Sequence, residues 1–135
     1  MKPGATLDEI HEVALRVLTE GLIALEIVEG PLDEALEKKR YESFYMHRTS
    51  HWLGMDVHDV GSYLGDEGSR VLEPGMVLTI EPGLYVMPDD EEAPERFRGI
   101  GIRIEDDIAV TDGEPDVLTA GIPKTIDEVE AACAS

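Results

Sequence analysis

The hydrophobic period of this 135-residue chain changes once, and that change limits the folds open to it. Early in the chain, apolar residues recur at helical spacing: Ile10, Val13, Ala14, Val17, Leu18, Gly21, Leu22 and Leu25 form one stripe. From Met76 onward they alternate. Met76, Leu78 and Ile80 oppose Val77, Thr79 and Glu81, and Ile100, Ile102 and Ile104 oppose Gly101, Arg103 and Glu105. An amphipathic helix has to lay its stripe on another apolar surface, and alternating strands supply one. The expectation is an α+β fold in one domain spanning residues 1–135, with helices packed on a curved, mainly antiparallel sheet.

The element ends are marked locally. Thr6-Leu7-Asp8-Glu9 is a capping box that opens the first helix. Gly30-Pro31 ends it and starts a second, shorter helix with Pro31 at its first position, closed by Lys38-Lys39-Arg40. Tyr41 to Met46 reads as a strand, and Gly61 to Val71 as a loop rich in glycine. Leu84 to Val86 and Asp107 to Val110 read as extended, with the charged stretch Asp89 to Arg98 as a loop. Thr125-Ile126-Asp127-Glu128 is a second capping box, which opens a C-terminal helix.

Charge and cysteine content narrow the partners. A net charge of −19 argues against nucleic-acid backbones and anionic membranes, which attract lysine and arginine. The single cysteine, Cys133, excludes an internal disulfide and a cysteine-based zinc site. No apolar run is long enough to span a membrane, and the first residues lack the apolar core of a signal peptide. The expectation is a cytoplasmic protein.

The chemistry concentrates between Met46 and Gly61, which carries His47, His51 and His58. Imidazole is the commonest metal-ligating side chain and the usual acid–base at neutral pH. This stretch is poor helix and reads as a strand and the loop leaving it. The three histidines fit a site, and equally fit ordinary polar and packed positions. Glu81 ends an apolar strand before Pro82-Gly83 and fits a functional carboxylate or a solvated strand end. Glu105 shares a strand face with Arg103, so a structural ion pair competes with a metal role. Asp106 and Asp107 read as surface acids, and His11, beside the stripe among acids, as a solvated surface residue. Together His51, Glu81 and Glu105 make a nitrogen-plus-carboxylate set suited to Mn²⁺, Co²⁺, Zn²⁺ or Fe²⁺.

Three ordered motifs carry a resemblance. They are His47-x-x-x-His51-Trp-Leu-Gly-x-Asp-x-His58-Asp-Val-Gly, then Leu72-Glu-Pro-Gly-Met-Val-Leu-Thr-Ile-Glu81-Pro-Gly-Leu-Tyr85, then Arg98-Gly-Ile-Gly-Ile-Arg103-Ile-Glu105-Asp-Asp. Over essentially the whole chain they resemble the C-terminal part of the catalytic domain of the aminopeptidase P (Xaa-Pro aminopeptidase) family of pita-bread metallopeptidases. The resemblance implies half of a pita-bread fold. It also implies a dinuclear site, usually manganese, whose bridging hydroxide cleaves off the residue preceding proline. By position, His51, Glu81 and Glu105 match metal ligands, Glu105 bridging and Glu81 also moving a proton. His58 matches the histidine that stabilises the tetrahedral intermediate. His47, Tyr85 and Arg103 match residues around the pocket for the proline after the cut, and the resemblance counts His47 with His58 and Glu81 among the catalytic residues. The substrate implied is a peptide with proline at its second position.

The family's site also needs two aspartates and a further histidine from an upstream strand. This chain is therefore expected to be inactive alone and to meet a missing N-terminal half or form a homo-oligomer. The alternative is a non-catalytic remnant that binds one metal weakly and self-associates through an apolar face.

Overall fold

Helix α1 (Leu7–Ala24) begins where its capping box places it. In this computed structural model, which describes residues 1–65 and 68–134, the Glu9 amide donates to the Thr6 hydroxyl at 3.2 Å. The Thr6 amide in turn donates to the Glu9 carboxylate at 2.8 Å. The helix ends in a left-handed turn: Glu26 has φ 61°, and the amides of Ile27 and Val28 both donate to the Leu22 carbonyl. In α2 (Leu32–Glu37), Pro31 is the N-cap rather than the first helical residue. Arg40 holds this corner through the Glu29 carbonyl and, at 2.8 Å, the Glu34 carboxylate.

Tyr41 to Met46 is turn and coil, not the expected strand. Lys39 takes a left-handed φ of 52°, and the amides of Phe44 and Tyr45 both donate to the Tyr41 carbonyl at 2.9 Å. Curling this segment buries Phe44 and Tyr45, which a strand would place on opposite faces.

Among the described residues the strands pair antiparallel, in three small sheets rather than one curved sheet. Strands β1 (Leu64–Gly65) and β2 (Gly68–Ser69) form a short ladder within the expected loop 61–71, of which residues 66–67 lie outside the described residues. Strand β3 (Val77–Ile80) belongs to a second sheet, and β4 (Gly83–Tyr85) and β5 (Gly101–Arg103) pair as a third. Strand β6 (Asp106–Ala109) pairs with β3 on one side and β7 (Asp116–Val117) on the other. Two breaks divide the sheets. Pro82 separates β3 from β4, and the alternation of β5 stops at Arg103, three residues before β6. Helix α3 (Ile126–Cys133) has its capping box but buries no side chain.

Two apolar clusters hold these parts. Leu22, Val28, Ala35, Phe44, Val86 and Ala93 form one, and Leu7, Trp52, Leu72, Leu78 and Val110 the other. Helix α1 reaches both through its ends. Its middle does not behave as the stripe predicts: Val13 is 65% and Val17 60% exposed, beside a groove floored by Ile80, Pro82 and Ile108. The isoleucines of the β5 region continue this surface, with Ile102 60% exposed. Among the described residues no helix is long and apolar enough to cross a membrane.

Candidate metal centre

The segment carrying His51 runs alongside β3 without being a formal strand. The Glu81 amide donates to the Thr49 carbonyl (2.8 Å), the Thr79 amide to the His51 carbonyl (3.0 Å), and the Leu53 amide to the Val77 carbonyl (3.1 Å). Trp52 bridges to Leu78 and is anchored in the core. This register sets His51 beside Glu81, with Nε2 3.1 Å from Oε1. Among the described residues, His51, Glu81 and Glu105 offer ligand atoms that all lie within 4.8 Å of one another.

The imidazole is fixed through its other nitrogen. His51 Nδ1 lies 3.0 Å from the Trp52 carbonyl, which can only accept, so Nδ1 carries the proton of the neutral ring. In the charged ring Nε2 would donate to the Glu81 carboxylate, and in the neutral ring it turns its lone pair that way and is free to ligate. A ligating histidine held through its other nitrogen by a carbonyl is the usual second layer of a metal site. Both side chains are sheltered, His51 at 16% and Glu81 at 13% exposure.

Thr79, 1% exposed, ties the two together, donating to Glu81 Oε1 at 3.0 Å and accepting from the His51 amide at 3.1 Å. It was legible in the sequence, two residues before Glu81 on the same strand face. Arg103 Nε stands 3.7 Å from Glu81 Oε2, so among the described residues Arg103 pairs with Glu81 and not with Glu105. The His58 ring meets the His51 ring edge-on at a centroid distance of 4.4 Å.

His47 and Tyr85 form a separate pair. His47 Nδ1 donates to the Arg48 carbonyl at 2.8 Å, which leaves Nε2 to accept from the Tyr85 hydroxyl at 3.0 Å. Tyr85 lies over two glycines, Gly83 on its own strand and Gly101, its own partner across the ladder; a Cβ on Gly83 would sit 2.5 Å from the Tyr85 hydroxyl. Gly83 pairs with Arg103 and Tyr85 with Gly101, so Arg103 and Tyr85 share one face of β4–β5 while Leu84 and Ile102 occupy the other.

Two readings from the sequence need correction. Asp106 is not a simple surface acid: it accepts from Thr119 (2.6 Å) and Lys124 (3.0 Å), and the Thr119 bond leads in holding its carboxyl below the usual range. His11 is half-buried rather than a free surface residue. It packs against Tyr45 and bonds to Thr49 across 38 residues of sequence, a contact that no local signal marks.

This chain matches the model of metallopeptidase family M24 over residues 1–112, and it belongs to that family. Escherichia coli (strain K12) Xaa-Pro aminopeptidase is 51% identical over 130 residues, 96% of this chain and 29% of that protein. The Pseudomonas aeruginosa aminopeptidase PepP superposes with a TM-score of 0.95 at 51% identity, over 99% of this chain and 30% of that one. E. coli aminopeptidase P with the inhibitor Pro-Leu, and its zinc-substituted form in complex with product, each give 0.91 at 50% identity, over 98% and 30%. The chain thus spans less than a third of the length of the relatives it matches.

Proposed function

We propose that this chain carries part of the metal site of an Xaa-Pro aminopeptidase, with His51, Glu81 and Glu105 as its ligands. The observation that carries the reading is the convergence of His51 Nε2 on Glu81 at 3.1 Å, with Nδ1 turned to the Trp52 carbonyl and a Glu105 oxygen within 4.8 Å. The donor set fits a borderline divalent ion, Mn²⁺ first, with Zn²⁺, Co²⁺ or Fe²⁺ as alternatives. One imidazole and two carboxylates hold one ion; a second ion needs donors beyond these three. A bound ion polarises a peptide carbonyl and activates water. We read the whole chain as one domain, the C-terminal half of a pita-bread catalytic domain.

The chain's own residues then divide the work. In this reading Glu81, oriented by Thr79 and Arg103, takes and returns a proton. His58, packed on His51, is placed to donate to the oxygen that gains charge at the scissile carbonyl. The His47–Tyr85 pair, with Arg103 on the same strand face as Tyr85, lines the position of the proline of an Xaa-Pro peptide.

Calorimetry with Mn²⁺ on the wild type and on Glu105→Gln tests this. One ion bound per chain, and none in the variant, supports the ligand set. Equal binding by both refutes it. Release of the first residue from an Xaa-Pro peptide tests the activity, with little or none expected from three ligands alone.

A second reading rests on the exposed apolar surface of Val13, Val17 and Ile102. In it the chain is a non-catalytic unit that self-associates as a homodimer through this face. A monomeric mass in sedimentation excludes this second reading.

A further inference from the structure

Thr49 is 2% exposed, and its hydroxyl has two partners. Tyr45 Oη lies 2.7 Å from Thr49 Oγ1, and His11 Nδ1 lies 2.8 Å from it. The Thr49 hydroxyl has one proton to give and two lone pairs to receive, so the hydrogens of the three groups decide how the bonds run. If His11 Nδ1 carried a proton, it would donate to Thr49, and Thr49 and Tyr45 would share one bond for two hydrogens, so one of these buried hydrogens would have no acceptor among the described residues. In the opposite direction Tyr45 donates to Thr49 and Thr49 donates to His11, and every hydrogen is used. Buried donors left unpaired are costly, so the second arrangement holds. It requires a neutral His11 with its proton on Nε2. Burial of the ring and the nearby Arg48 push the same way, lowering the affinity of His11 for a second proton against the opposing pull of Asp8.

Thr49 is also the first rung of the ladder that sets the site. Its carbonyl receives the Glu81 amide, and two residues on, the His51 carbonyl receives the Thr79 amide. The side chain of Thr49 is therefore held from helix α1 while its backbone holds the segment bearing one ligand against the strand bearing another.

We propose that His11 is a positioning residue of the metal centre: its neutral Nδ1 accepts from the Thr49 hydroxyl and fixes the Thr49–His51 segment in register with Glu81. It deepens the metal-site reading and rests on it for its purpose. Its geometry is testable without any metal. His11 touches no substrate and acts only through Thr49.

The experiment compares the full chain with His11→Leu, which removes the acceptor, and His11→Asn, whose amide oxygen takes the place of Nδ1. Nitrogen-15 NMR of the wild-type imidazole near neutral pH is expected to show the proton on Nε2; a proton on Nδ1 overturns the proposal. Hydrogen exchange at the Glu81 and Thr79 amides is expected to quicken about tenfold in His11→Leu, the loss of one net hydrogen bond, and to return to wild-type rates in His11→Asn. Unchanged exchange in His11→Leu, or equal acceleration in both variants, overturns it. Zn²⁺ affinity is expected to follow the same order, and equal affinities in all three proteins would likewise count against it. A wild type that binds no Zn²⁺ refutes the metal reading, and the exchange comparison then decides the role of His11 by itself.

Discussion

Thr79→Val removes one oxygen and keeps the shape of the side chain, so it isolates what that oxygen does. The hydroxyl donates to Glu81 at 3.0 Å and accepts from the His51 amide at 3.1 Å. In the variant the His51 amide loses its acceptor, at about 1–3 kcal/mol, and Glu81 loses a charge-assisted bond worth about 1.5–3 kcal/mol. The added methyl offsets about 0.8 kcal/mol. Glu81, still 13% exposed, recovers part of its bond from water. The net expectation is about 2–4 kcal/mol less stability. A lower urea midpoint would report it, with Trp52, the single tryptophan, as fluorophore. A freed Glu81 also loses its orientation toward a metal, so Zn²⁺ affinity should fall about 10–100-fold. Thr79→Ser retains the oxygen and should bind Zn²⁺ as the wild type does. A Thr79→Val protein that binds Zn²⁺ at wild-type strength refutes the reasoning, because the hydroxyl would then not position Glu81.

Other expectations follow from the packing and the protonation states. Leu22→Ala, at a fully buried position of the first cluster, should cost about 2–5 kcal/mol in urea unfolding. Gly83→Ala puts a methyl where the Tyr85 hydroxyl lies, so the ring should swing off His47 and the His47 Nε2 resonance should shift while the fold persists. Folded His11 gives up its proton more readily than at the ordinary value of 6.5, so between the two values the unfolded chain binds more protons. Its contribution to stability is therefore complete above pH 6.5 and lost as pH falls through the lower folded value. His11→Leu should flatten that part of the stability–pH curve.

What the sequence disclosed depended on how far apart the interacting residues lie. Both capping boxes were readable because Thr6 and Glu9, or Thr125 and Glu128, are three residues apart and carry their own geometry. The alternating runs located β3 and β5, since a strand's period is local, and the extended reading of Asp107 to Val110 fell on β6. Tyr41 to Met46 misled because aromatic residues favour strands, whereas Lys39 at φ 52° and the buried Phe44 made a turn. Arg103 and Glu105 appeared paired by spacing, but β5 ends between them and Glu81 lies nearer. The convergence of His51, Glu81 and Glu105 was legible through resemblance, not spacing, because 54 residues separate the first from the last. The link from His11 to Thr49 was invisible for the same reason and had no motif to announce it.

Helix α1 is seated at both ends, with Leu7 in one cluster and Leu22 in the other, and exposes Val13 and Val17 between them. Fifteen residues of helix hold those two anchors about 22 Å apart. One residue inserted or removed between them would turn the far anchor by about 100° and shift it by about 1.5 Å. If the change fell between Leu7 and His11, it would also swing the imidazole away from Thr49. Substitutions along the outer side of this helix, at Glu12, Arg16 or Glu20, leave both anchors in phase. The helix should therefore tolerate wide variation in what it is made of and almost none in how long it is.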